Sequence, residues 1–252
     1  MNYADRLEEA VRRAGNPCLV GLDPHEASLP EEFAVVRDPA APRSARARAC
    51  ADFLCAILEV CAGKVPAVKP QSAFFEVYGA DGALAWERVV STARRAGLIV
   101  IGDVKRGDVG HSSECYAAAH TADSEFTNLP DVMAPDAITV NGYFGSDGVR
   151  PFLEAARKDA KGLFVLVRTS NESAGELQDV ATSDGRKVHE VLAGLVAQWA
   201  QEPGMLVLFR GHHSIHRVAP CRGQVGRLEP ADGQPVLGAF HFEPRARARP
   251  VV

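Results

Sequence analysis

The sequence predicts an α/β fold of the (β/α)8 TIM-barrel type, and three observations carry that reading. Short apolar runs alternate with helix-length amphipathic segments along most of the 252 residues, the pattern of βαβ units around a parallel sheet. Ionisable or polar residues stand at the C-terminal tip of one run after another, where barrels of this class place their chemistry. The length suits one large core. A doubly wound open sheet is the alternative, but it concentrates polar tips at one switch point instead of spreading them over five strands.

The elements follow in order. Helical spacing runs from Tyr3 to Ala14 and stops at Gly15-Asn16-Pro17. Cys18–Leu22 is the first strand, ending at Asp23-Pro24, and a proline-rich connector from Pro30 to Pro42 leads to a helix over about Ser44–Ala62. Val65–Pro70 is the second strand, with Lys69 near its end and Pro70 closing it. A helix over about Gly82–Ala96 precedes the third strand, and a helix over His111–Ala122 follows it. Ala137–Asn141 is a fourth strand, followed by a glycine-containing loop to Gly148 and a helix over Val149–Asp159. Leu163–Thr169 is the fifth strand, Ser170-Asn171 its exit, and Lys187–Gln201 a further helix. Met205–Phe209 fits a sixth strand.

The third strand is the chemical centre. Ile99-Val100-Ile101-Gly102 runs into Asp103-Val104-Lys105-Arg106-Gly107-Asp108-Val109-Gly110. Strand alternation puts Asp103 and Lys105 on one face, while Asp108 lies beyond the strand end. A D-x-K-x-x-D string alone is most simply a surface ion pair of little energetic weight. The apolar approach changes that reading, because charge at the end of a buried strand is costly and usually has a use.

Net charge is −4 with scattered basic residues, which gives no footprint for nucleic acid or an anionic membrane and favours a small-molecule partner. No apolar run approaches membrane-spanning length, and the charged N-terminal stretch lacks the apolar core of an export signal. The cysteines, at positions 18, 50, 55, 61, 115 and 221, have neither metal-site nor disulfide spacing and read as buried free thiols of a cytoplasmic protein. Cys50, Cys55 and Cys61 fall on a helix as small core residues, and Trp86 and Trp199 as packing residues. His212, His213 and His216 lack the acidic partner of a zinc helix, and Gly142–Gly148 lacks the spacing of a phosphate-binding P-loop.

Five blocks then come together: Gly21-Leu22-Asp23-Pro24-His25, Val68-Lys69-Pro70-Gln71-Ser72-Ala73-Phe74-Phe75-Glu76, Asp103 to Gly110, Thr139-Val140-Asn141, and Arg168-Thr169-Ser170-Asn171. In this order and at barrel spacing, over about residues 1–204, they resemble the orotidine 5′-phosphate decarboxylases, specifically the second bacterial type. The resemblance implies a cofactor-independent decarboxylation of orotidine 5′-monophosphate to uridine 5′-monophosphate, with no metal. It implies Lys105 as proton donor, Asp103 as the carboxylate beside the departing one, and Lys69 as the lysine linking ribose to that array. Asp108 and Ser112 match residues that cross a homodimer interface into the partner's site, Asp23 a ribose-contacting aspartate, and Ser170 a pyrimidine-contacting serine. Magnesium-dependent sugar-phosphate enzymes of the same superfamily share D-x-K-x-x-D but need an acidic ligand at the tip of strand two, where Lys69 stands.

The pattern fades after Gly204. Arg210–Val252 is rich in Arg, His, Pro and Gly, contains no lysine, and shows no sustained strand or helix period. The chain is therefore divided into a barrel over 1–204 and a C-terminal segment over 205–252, either read out of frame from GC-rich coding sequence or divergent, in which Val236–Phe240 is a short strand signal flanked by prolines. The glycine-rich turn and arginine that would hold the substrate phosphate are not evident there. A weakened enzyme, or a remnant that binds nucleotide poorly, is the consequence, since remote binding energy supports catalysis.

Overall fold

A computed structural model describes residues 1–121 and 134–200, together with the backbone of two strands at 206–210 and 215–218. His212, His213 and Val236–Phe240, read above from the sequence, lie outside the described residues, as does Cys221, and so does the side chain of His216.

Helix α1 (Tyr3–Ala14) has the span its periodicity predicts, because both ends are capped. Asn2 accepts from the Asp5 amide at 2.9 Å, and Gly15 takes the left-handed conformation (φ 68°) that closes the last turn onto Val11. The chain then alternates: β1 (Leu19–Leu22), α2 (Arg43–Cys61), β2 (Ala67–Pro70), α3 (Ala73–Glu76), α4 (Gly79–Arg95), β3 (Ile99–Arg106), α5 (Gly110–Thr121), β4 (Ala137–Asn141), α6 (Gly145–Lys158), β5 (Gly162–Arg168), α7 (Gly175–Gln178), α8 (Val188–Trp199), β6 (Leu206–Arg210) and β7 (Ile215–Val218). The proline-rich connector folds into 3₁₀ turns over Glu31–Arg37.

The sheet order is β1-β2-β3-β4-β5-β6-β7, and every pairing through β6 is parallel. Each strand lies beside its predecessor with no reversal of order, as a barrel requires and a doubly wound sheet does not. Strand β7 departs from both the barrel rule and the sequence reading. It pairs antiparallel with β6, and four residues are too few to show a period.

Strand parity separates two cores. Val68, Val100, Ile138, Val140, Leu163 and Val165 point outward into the layers made with α2, α4 and α6. Ala67, Ile99, Ile101, Ala137 and Phe164 point to the other face, where Tyr3, Leu7 and Ala10 of α1 cover its lower end. Tyr3 meets Phe164 edge to face at 6.2 Å, and Gly162 admits the ring, since a Cβ there would lie 2.3 Å from it. Moving up this inner face by two residues from Ala67, Ile101 and Ala137 reaches Lys69, Asp103 and Thr139, so the apolar floor passes directly into a polar mouth.

Helix α6 starts at Gly145, inside the stretch the sequence reads as loop. Gly148 permits this by bringing the helix against Phe144 and the Asp108 carbonyl, which a Cβ would approach to 2.6 and 2.9 Å, and Ser113 ties the contact by donating to the Gly148 carbonyl. The cysteines also differ from expectation. Cys50 and Cys61 are buried, but Cys18 and Cys115 are exposed, because one precedes β1 and the other faces out from α5. Burial pushes the Cys50 thiol up to about 12, which removes it as a nucleophile at neutral pH. Among the described residues no helix is long and apolar enough to cross a membrane.

Candidate active site

The tips of β2, β3 and β4 converge on the Asp103 carboxylate, whose side chain is only 9% exposed. Oδ2 accepts from Lys69 Nζ at 2.9 Å and Gln71 Nε2 at 3.1 Å; Oδ1 accepts from Lys105 Nζ at 2.6 Å and Thr139 Oγ1 at 2.8 Å. Burial alone would raise this carboxyl. The Lys69 charge and the hydrogen bonds from both lysines outweigh it and hold Asp103 below the ordinary carboxylate value. Lys69 is mostly covered, whereas the Lys105 side chain is 46% exposed and reaches the mouth.

Lys105 carries backbone strain. Its φ is +46°, a left-handed conformation that a lysine rarely adopts, at a place where β3 and β4 fall out of register. Such strain persists only where the surroundings hold it, and it concentrates at functional sites.

The other residues singled out in the sequence stand at the same end of the sheet but outside this knot. Asp23 is exposed beyond β1, its carboxylate folded back over Gly21, where a Cβ would lie 3.1 Å from Oδ2. Asp108 is half-buried, and its Oδ1 accepts from the adjoining Val109 amide at 2.8 Å. Ser112, in the first turn of α5, and Ser170, past β5, are exposed. Within one chain, then, three of the four proposed catalytic groups meet, and Asp108 makes no ion pair among the described residues.

Beyond β5 the loop bearing Ser170 is anchored by groups the sequence reading did not single out. Gln178 accepts from the Thr169 amide at 2.7 Å and donates to its hydroxyl at 2.8 Å. Next to it, Arg168 grips Asp179 with Nε at 3.0 Å and Nη2 at 2.7 Å, and the Arg168 hydrogen bond holds the Asp179 carboxyl down to about 2. On the β3 side, Arg106 pairs with Glu76 and lies 5.8 Å over the Tyr116 ring. Thr139 stands in one of the five sequence blocks but was given no role there; its position two residues after Ala137 on a strand was the available signal.

The parallel sheet of a barrel fold thus ends, on its inner face, in a carboxylate held between two lysines. The sequence profile of the orotidine 5′-phosphate decarboxylase / HUMPS family matches residues 17–230, and the chain belongs to that family. It is 40% identical over 200 residues to an orotidine 5′-phosphate decarboxylase of Rhodopirellula baltica, covering 79% of this chain and 64% of the relative. It is 38% identical over 201 residues to one from Streptomyces coelicolor, covering 79% and 66%. Among solved structures, Leishmania donovani OMP decarboxylase superposes with a TM-score of 0.63 at 30% identity, over 82% of this chain and 70% of that one. The chain thus spans just under two thirds of the length of the two curated relatives.

Proposed function

We propose that this chain is an orotidine 5′-monophosphate decarboxylase working without metal or organic cofactor. The observation that carries the reading is the Lys69–Asp103–Lys105 array, with Lys105 exposed toward the mouth. Loss of carbon dioxide breaks the bond at carbon 6 of the pyrimidine and leaves the electron pair there, in the ring plane. A fixed ammonium where that charge develops lowers the barrier without prior reorganisation. Lys105 supplies it, then transfers a proton to carbon 6 and recovers one from solvent. Asp103 keeps Lys105 aimed and faces the departing carboxylate; Lys69 balances Asp103 and reaches the ribose. Asp23 contacts ribose and Ser170 the pyrimidine.

Asp108 and Ser112 serve the partner's site in a homodimer. Supporting this, Val109, Tyr116, Tyr143 and Phe144 lie near them in sequence or in space and expose 49%, 40%, 72% and 43% of their surface, an apolar surround suited to a second copy. The setting is the cytoplasm. A magnesium-dependent reaction is disfavoured by Lys69, whose ammonium sits 2.9 Å from Asp103, where a hard cation would need an oxygen ligand.

We expect weak turnover, because the sequence of residues 205–252 offers no glycine-rich turn and arginine of the kind that would hold the substrate phosphate. The test is an ultraviolet assay of orotidylate consumption beside Lys105→Ala, with mass measured by light scattering. Turnover that is measurable, low and dependent on Lys105 supports the proposal. Equal rates in the two proteins, with no binding of uridine monophosphate, identify a non-catalytic remnant.

A further inference from the structure

The geometry points to Thr139 as a positioning residue whose hydroxyl holds the Lys105 backbone and the Asp103 carboxylate together, an inference that rests on the decarboxylase reading for its kinetic part only. Strands β3 and β4 pair at Gly102 with Ile138 and again at Arg106 with Val140. Four steps along β3 are therefore matched by two along β4, and the surplus falls on Asp103, Val104 and Lys105. Thr139 is the single β4 residue facing that surplus. Its side chain is buried, with the residue 3% exposed.

A surplus of this kind takes backbone groups out of the ladder. The Lys105 amide has lost its strand partner and donates to Thr139 Oγ1 at 2.9 Å. The same hydroxyl donates its proton to Asp103 Oδ1 at 2.8 Å, so one oxygen uses both its accepting and donating capacity. Lys105 N–H, Thr139 O–H and Asp103 form a directed chain, and its first member is the strained left-handed lysine at φ +46°. Asp103 in turn accepts from Lys105 Nζ at 2.6 Å, closing a ring through backbone and side chain. Lys69 from β2 and Lys105 are the charged groups facing Asp103. Thr139 adds a neutral donor from β4, the strand that supplies neither.

Val is nearly the same shape as Thr but leaves the Lys105 amide unsatisfied and takes one donor from Asp103. Ser keeps the hydroxyl and loses only a methyl. In Thr139→Val we expect kcat to fall about 10- to 100-fold with KM changed less than about threefold, because the loss lies in aiming the reacting ammonium rather than in holding substrate. Thr139→Ser recovers most of kcat. Independently of activity, 13C titration of Asp103 reads a higher carboxyl pKa in Thr139→Val and an unchanged one in Thr139→Ser.

Equal losses in the valine and serine variants, or an Asp103 titration that the valine variant does not move, overturn the assignment. Should the valine variant not fold, Thr139→Ala carries the same readings. A wild-type chain without decarboxylation defeats the functional reading alone, since the carboxyl titration still decides the role of Thr139.

Discussion

The sheet buries a carboxylate at each end, and the two are built differently. At the upper end Asp103 lies between Lys69 and Lys105. At the lower end Asp136, 3% exposed in its side chain, accepts from Arg6 Nη1 at 2.5 Å and from the Val100 amide at 2.9 Å, with Arg94 Nε at 3.5 Å. Arg6 also donates to the Ala160 carbonyl, so this knot fastens α1 to the sheet. Arginine suits such a fastening, being a rigid fork that does not give up its proton, while lysine is a compact charge that can. On the proposed function, similar wiring serves stability at the end where barrel strands begin and chemistry where they finish.

The contrast predicts a division of effects. Lys105→Ala should reduce kcat/KM by about 10³- to 10⁴-fold, as loss of both proton donor and fixed charge, and leave the thermal midpoint near wild type because that side chain is half exposed. Asp103→Asn should lower kcat by about 10²-fold or more, since the amide neither anchors the lysines nor faces a carboxylate with charge. Asp136→Asn should do the reverse, costing about 2–4 kcal/mol of stability through the lost charge of the buried carboxylate in its pair with Arg6, while the folded fraction keeps its kcat. Kinetics and urea unfolding on the two Asp variants check this. A kcat loss in Asp136→Asn matching that of Asp103→Asn would break the comparison.

How much of this was readable beforehand depends on range. Local signals served well where they were strong: α1 ends at Gly15 because a left-handed cap follows its last turn, and β4 spans the Ala137–Asn141 run. Parity alone put Asp103 and Lys105 on one face of β3. Parity could not reveal that Thr139 meets both Asp103 and Lys105, because that contact depends on the slip between β3 and β4, set by two segments 36 residues apart. It did place Asp108 beyond the strand end, and there the carboxylate turns to the adjoining Val109 amide, away from Asp103 and Lys105. Strand β7 has no local signature, since its pairing with β6 defines it.

A smaller effect tests the margin of the upper end. His120, on the face of α5 toward Arg106 and Glu76, is brought down to about 4 from an ordinary 6.5, chiefly by burial and then by the Arg106 charge. Between those values the unfolded chain binds a proton that the folded chain refuses, so stability rises with pH through this window and is lost on acidification. The slope should reach at most about 1.4 kcal/mol per pH unit. The Asp103 contribution has the same sign but operates below 3.8, so it does not overlap. Urea midpoints at pH 4.5, 5.5 and 7 should spread in the wild type and close up in His120→Gln. An unchanged spread would assign the sensitivity to other groups.

The smallest effect belongs to the β5 loop, where an ion pair lies at the upper end but outside the Lys69–Asp103–Lys105 array. Arg168 and Asp179 are 20% and 27% exposed, which limits their share in stability. Their value is geometric: the bidentate grip ties the C-terminal end of α7 to the Arg168 tip, and Gln178 clamps Thr169 beside Ser170. A looser loop should weaken substrate contact without disturbing Lys105. Asp179→Asn is therefore expected to raise KM about two- to fivefold with kcat within about twofold, the pattern of lost uniform binding. At neutral pH the pair is fully formed, because the Asp179 carboxyl sits at about 2. A fall in kcat with KM unchanged would instead join this loop to the reacting array and shift the boundary between the two regions of the mouth.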